Sequence, residues 1–108
     1  MGEYNRLSVA DALKLIEEKQ AAVADIRDAR SFAAGHVPGA FNLNDSNLNQ
    51  FMLENDPDGP VLVFCYHGVS SQGAGQYLAN QGFDEVYSVD GGMTAWAHQY
   101  PDKVERSA

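Results

Sequence analysis

Between Ser31 and Asp102 the chain contains neither lysine nor arginine. Its seven basic residues, Arg6, Lys14, Lys19, Arg27, Arg30, Lys103 and Arg106, stand against fifteen acidic ones, for a net charge of −8. A nucleic-acid partner needs clustered cations for its phosphates and is excluded, and an anionic membrane surface is disfavoured for the same reason. Long apolar runs are missing as well. The N-terminal "MGEYNRLSVADALKLIEEKQ" has no secretory h-region, and no stretch approaches a membrane span. "MGEYNR" also lacks the Ser or Thr that a myristoylation signal requires at its sixth position. Cysteine occurs once, as Cys65, which excludes an internal disulfide and a paired-cysteine metal knuckle and favours a reducing, cytoplasmic setting. The histidines, at 36, 67 and 98, lack metal-ligand spacing, so no metal is expected. At 108 residues the chain reads as one domain, 1–108, with a core over about 7–100 and a frayed tail in its last seven residues.

What is present is an alternation of strand and helix signals. Ser8 is placed as the N-cap of a helix in which Val9, Ala12, Leu13 and Ile16 share a face. "AAVADI" reads as a short buried strand ending at "RDARSF", and residues 35–43, "GHVPGAFNL", as loop. "DSNLNQFMLEN" reads as a short helix entered through Asp45 or Ser46 and stopped by "DPDGP". "VLVF" is an uninterrupted apolar run, the pattern of a strand covered on both faces. "SSQGAGQYLANQGF" reads as a helix with Gly82 as its C-cap, "EVYSV" as a further strand, and "MTAWAHQY" as a last helix behind the "DGG" turn. The class is α/β with a mainly parallel sheet, whose ligand sites lie beyond the carboxyl ends of the strands.

Cys65 stands at such an end, in "VLVFCYHGVSSQG". A free cysteine is ordinarily a small buried hydrophobe. A thiol that attacks does so as thiolate and needs surroundings that hold negative charge. A helix beginning at Ser70 or Ser71 supplies unpaired N–H groups and a dipole worth about 0.3–1 kcal/mol. The amides of Tyr66 through Ser71 are therefore expected to curl round the sulfur as a nest, with Gly68 allowing the turn. Position, glycine loop and helix start together favour a nucleophile over a packing role.

Three segments carry a resemblance. "DIRDARSFAAGHVPGAFNL" resembles the N-terminal signature of the rhodanese (sulfurtransferase) domain, "CYHGVSS" its six-residue active-site loop, and "VYSVDGGMTAW" its C-terminal signature, in family order over residues 7–100. The "CYHG" opening is similar to that of the small single-domain thiosulfate sulfurtransferases. The resemblance implies a five-stranded, mainly parallel sheet flanked by helices on both faces. It further implies a ping-pong transfer, needing neither metal nor organic cofactor, in which Cys65 takes the outer sulfur of thiosulfate, releasing sulfite, or of another sulfane donor. The sulfur then passes to cyanide in an assay, or to a thiol acceptor such as thioredoxin. Tyr66, His67, Gly68, Val69, Ser70 and Ser71 become the substrate-binding loop. Family loops often carry a cation within or just after the loop; here those places hold His67, Val69 and Gln72, and weak capture of the thiosulfate dianion is expected.

Other residues are assigned structural parts. Arg27 is expected to pair with an acid, Asp25 or Asp28, and to bond loop carbonyls; His36 to fix a loop; His98 to lie on the surface; Trp96 to fill core. Ser70 and Ser71 are read as helix caps whose hydroxyls could also face substrate. Tyr66 is set at the pocket mouth. "DGG" lacks the lysine of a phosphate-binding P-loop and reads as a turn. A cysteine phosphatase or arsenate reductase would need Arg six places after Cys65, where Ser71 stands. A silent interaction module is disfavoured by the presence of the nucleophile, whereas a persulfide carrier would share every residue with the enzyme.

Overall fold

The computed structural model describes residues 2–107. Its elements are β1 (Tyr4–Leu7), α1 (Val9–Lys19), β2 (Ala22–Asp25), α2 (Ala29–Ala34), β3 (Phe41–Asn42), α3 (Leu48–Glu54), β4 (Pro60–Phe64), α4 (Ser70–Asn80), β5 (Glu85–Val89) and α5 (Gly92–Gln99). The five strands form one sheet in the order β1-β5-β4-β2-β3. Every pairing is parallel. All strands therefore end at one edge, and β4 delivers Cys65 there from the middle of the sheet.

The two-residue period of β4 explains how its apolar run is used. Val61 and Val63 pack with Phe51 of α3 and Leu78 and Ala79 of α4 on one face. Leu62 and Phe64 pack with Val9 and Ala12 of α1 and with Met93 and Trp96 of α5 on the other. These four residues of β4 are fully buried, each contributing roughly 1.5–3 kcal/mol. Phe64 meets Trp96 edge-on, with ring centroids 5.6 Å apart. Cys65 continues the alternation onto the α4 face, which is where α4 begins.

Ser8 caps α1 as expected, its Oγ accepting from the Asp11 amide at 3.1 Å. Gly82, with φ +111°, lies just past Gln81, the C-cap of α4. Four features differ from the sequence expectations. β1 forms in a stretch with no strand signal, because β5 pairs with it residue for residue from Tyr4↔Val86 to Leu7↔Val89. α2 and the two-residue β3 occupy segments read as strand end and loop. α3 starts at Asn47 rather than Asp45 or Ser46, because Asn44 and Asn47 bond each other's backbone reciprocally: the Asn44 amide donates to Asn47 Oδ1 and the Asn47 amide to Asn44 Oδ1. The tail expected to fray is pinned through residue 107. His36 and Glu105 exchange two backbone bonds of 2.8 Å, and the Ser107 amide donates to Ala33 O at 2.9 Å.

Candidate active site

Cys65 is 2% exposed. Its Sγ accepts from the amides of Gly68 at 3.1 Å and Ser71 at 3.3 Å, and the Ser71 Oγ lies 3.2 Å away. Burial pushes the thiol up. The Ser71 hydroxyl, the Ser70 hydroxyl and the two amides pull it down, and the balance is a fall from an ordinary 9.0 to about 7. Of the amides from Tyr66 to Ser71, these two reach the sulfur, so the nest is narrower than the sequence suggested. The serines also depart from expectation. α4 is capped at Val69 with no side-chain hydrogen bond, so neither serine caps the helix. Ser71, fully buried, turns inward to the sulfur instead, while Ser70 stays exposed.

Gly68 is required twice over. Its φ is +86°, and a Cβ there would stand 2.8 Å from Gly91 N and 2.9 Å from Val89 O, both backbone atoms that cannot yield. Its carbonyl accepts from Gln72 Nε2 at 2.8 Å, and Tyr4 donates its hydroxyl to Gln72 Oε1 at 3.1 Å. Gln72 thus holds the Gly68–Val69 peptide of the loop by a neutral bond.

The "DGG" turn does more than reverse the chain. The first amides of α5 donate to the loop: Met93 N to Cys65 O at 2.8 Å and Thr94 N to Tyr66 O at 3.1 Å. Gly92, at φ +56°, makes that approach possible, since a Cβ would stand 2.5 Å from Cys65 O. Asp90 is in turn tied to Arg6 at 2.8 Å.

Tyr66 projects from the loop toward α2, where its hydroxyl donates to Asp28 and meets Ser31 Oγ at 2.8 Å. The Tyr66 hydroxyl, then the Ser31 hydroxyl and amide, hold the Asp28 carboxyl well below its usual range. Asp28 also borders a cleft of about 580 Å³ that runs between Leu43, Leu48 and Tyr77. His67 and Val69 are exposed, Val69 by 74%.

Arg27 is spent on the scaffold. Its fork grips Asp25, Nε to Oδ1 at 3.0 Å and Nη2 to Oδ2 at 2.7 Å, and Nη2 also donates to Gly35 O at 2.6 Å. The two side chains are 7% and 1% exposed, a placement in which losing one partner costs about 3–5 kcal/mol. His36 fixes its loop as expected, with Nδ1 2.7 Å from Phe32 O, while Trp96 is core and His98 is exposed. Ser88 and Tyr4 are the parts of the site that the sequence reading missed, while Gln72 and Gly92 were read only as the place of an absent cation and as part of a turn; each lies outside the loop or acts through backbone atoms. Among the described residues no group of three or more His, Cys, Asp or Glu side chains could hold a metal, and no helix is long and apolar enough to cross a membrane.

The rhodanese-like domain model matches residues 8–99. The chain is 48% identical over 103 residues to the thiosulfate sulfurtransferase GlpE of Pseudoalteromonas translucida, covering 95% of this chain and 98% of that protein. Among solved structures it resembles a rhodanese-like domain protein from Staphylococcus aureus, with TM-score 0.79, 22% identity and coverage of 96% and 99%. It also resembles the polysulfide-sulfur transferase homodimer of Wolinella succinogenes, with TM-score 0.72, 30% identity and coverage of 89% and 74%. With a parallel five-stranded sheet, a cysteine loop cradled at a helix start, and a match spanning nearly the whole chain, this protein belongs to the rhodanese-like domain family.

Proposed function

We propose that the protein is a thiosulfate sulfurtransferase that carries a sulfane sulfur on Cys65. The observation that carries this function is what surrounds Sγ: two amides that donate to it and the Ser71 hydroxyl 3.2 Å away, with no histidine, lysine or arginine bonded to the sulfur among the described residues. Such a cradle stabilises anionic sulfur and offers no side-chain base. Sulfur transfer asks for that. The Cys65 thiolate attacks the outer sulfur of thiosulfate, the S–S bond breaks, and sulfite leaves with the electron pair. The persulfide Cys65–S–S⁻ remains, so charge is conserved without a proton moving. An acceptor nucleophile then attacks the outer sulfur and Cys65 leaves as thiolate; with cyanide the product is thiocyanate. Loop amides not engaged by Sγ, those of His67, Val69 and Ser70, are the donors for the outer sulfur. Removing one such donor from an anion cradle typically costs 10²–10³-fold in rate, on the order of 3–4 kcal/mol.

One observation favours a second donor class. The cation nearest the loop is already paired: Arg27 lies over the Tyr66 ring, 5.7 Å from its centroid, but its charge is held by Asp25, and Val69 and Gln72 are uncharged. A polysulfide or a protein persulfide depends less on such a charge than the thiosulfate dianion does, and the 30% identical neighbour is itself a polysulfide-sulfur transferase. The acceptor is a small or protein thiol, of which thioredoxin is one example.

Intact-protein mass spectrometry after incubation with thiosulfate, and again after cyanide, tests the function. A gain of one sulfur that cyanide removes, absent in Cys65→Ser, is the expected result. A gain from polysulfide but not from thiosulfate would move the protein to the carrier class, and no gain from any donor would sink both.

A further inference from the structure

We infer that Ser88 is a positioning residue for Cys65: its hydroxyl fixes the Ser71 hydroxyl so that a hydrogen-bond donor faces the sulfur. Ser88 lies on β5 opposite Val63 of β4, and the two-residue period puts it with Val86 on the face that carries α4. Its Oγ is 2.7 Å from Ser71 Oγ, which is 3.2 Å from Cys65 Sγ. Both serines are fully buried. Three side chains, one just past the end of β4, one on α4 and one on β5, thus form one buried line, serine to serine to sulfur.

Each hydroxyl has a single hydrogen, so the line has two directions. In one, Ser88 donates to Ser71 and Ser71 donates to the thiolate. In the other, the thiol donates to Ser71 and Ser71 donates to Ser88. Ser71 is the one hydrogen-bond partner of the Ser88 hydroxyl among the described residues. The second direction leaves the Ser88 hydrogen buried without an acceptor, which is costly. The first uses every hydrogen. The line therefore favours the anion, and each bond in it polarises the next. Without Ser88, the Ser71 hydroxyl is free to turn to a carbonyl one helical turn back, the usual competitor for a serine near a helix start. The same bond serves twice in a transfer cycle, when the thiolate attacks and when it departs from the persulfide.

The inference rests on Cys65 acting as a thiolate, and its test needs no sulfur donor. The rate of Cys65 alkylation by iodoacetamide is followed in the full chain from about pH 5 to pH 10. Ser88→Ala is expected to move the midpoint up by about half to one pH unit and to slow alkylation at low pH roughly three- to tenfold. Its thermal midpoint should stay within about 4 °C of wild type. Ser88→Thr, which restores the hydroxyl on a β-branched frame suited to a strand, is expected to return the midpoint to the wild-type value. A Ser88→Ala midpoint equal to wild type overturns the inference. So does a midpoint raised alike in both variants, because that is the signature of packing. Wild type that fails to gain sulfur from any donor would overturn the proposed function while leaving this alkylation readout intact.

Discussion

Helices α4 and α5 both start beside the Cys65 loop, and both start without a side-chain cap. An uncapped start usually forgoes about 1 kcal/mol, because its first N–H groups lack partners. Here the partners are supplied, and they differ. At α4 the Ser71 amide points at the sulfur, joined by Gly68 from the loop. At α5 the amides of Met93 and Thr94 point at the carbonyl oxygens of Cys65 and Tyr66. One helix start holds the Cys65 sulfur; the other holds the backbone that carries it. The difference teaches that an anion cradle needs its amides fixed from behind, and that a neighbouring helix start can do the fixing with the same kind of group.

Disturbing the α5 side should have the largest effect. Gly92→Ala drives a Cβ into the Cys65 carbonyl at a positive φ, and we expect a loss of roughly 2–4 kcal/mol in stability, read as a lower thermal midpoint. Displacing the loop by about 1 Å is expected to slow sulfur transfer about 100-fold. A Gly92→Ala protein with wild-type activity would show that α4 alone suffices to shape the cradle.

The α4 side sets the pH dependence. Thiolate is the unprotonated form, so a thiol lowered to about 7 is about half thiolate at neutrality, and the fraction grows as pH rises. Alkylation of Cys65 should rise about tenfold from pH 6 to pH 8 and then level off. A profile still climbing steeply at pH 9 would mean that burial outweighs the hydrogen bonds.

The smallest effect sharpens the contrast. Val69 and Thr94 are both exposed near a helix start, one on each side. Val69→Lys adds a charge on the sulfur-holding side and is expected to raise thiosulfate kcat/KM about three- to tenfold, with the gain screened away by salt. Thr94→Lys, on the backbone-holding side, should change it less than about twofold. Equal gains from both would point to general attraction toward a chain of charge −8 rather than to a directed site.

Much of this arrangement was legible in the sequence because it is local. Cys65, Gly68 and Ser71 lie within seven residues, at the end of an apolar run that could only be a covered strand. What escaped reading is carried by distant partners. β1 is the polar "YNRL" and becomes a strand only by pairing with β5. α2 has no buried residue and hence no apolar period to reveal it. The pinned tail is fixed through backbone groups, which every residue has. Ser88 is one serine in a strand, and nothing in "EVYSV" says that it faces Ser71. The serines at the start of α4 misled for a related reason: Ser and Thr are the usual caps, but the hydroxyl of Ser71 had a buried thiol within reach.

The dependence of the loop on α5 also has a consequence during synthesis. Cys65 emerges from the ribosome about 27 residues ahead of Gly92, an interval of roughly 1–5 s at ordinary elongation rates. Through that interval the carbonyls of Cys65 and Tyr66 have no α5 amides to bind, and the β5 serine that lines up with Ser71 has not yet folded against it. The nascent chain therefore carries an ordinary, solvent-accessible thiol, and the cradled cysteine comes into being only after α5 has been made.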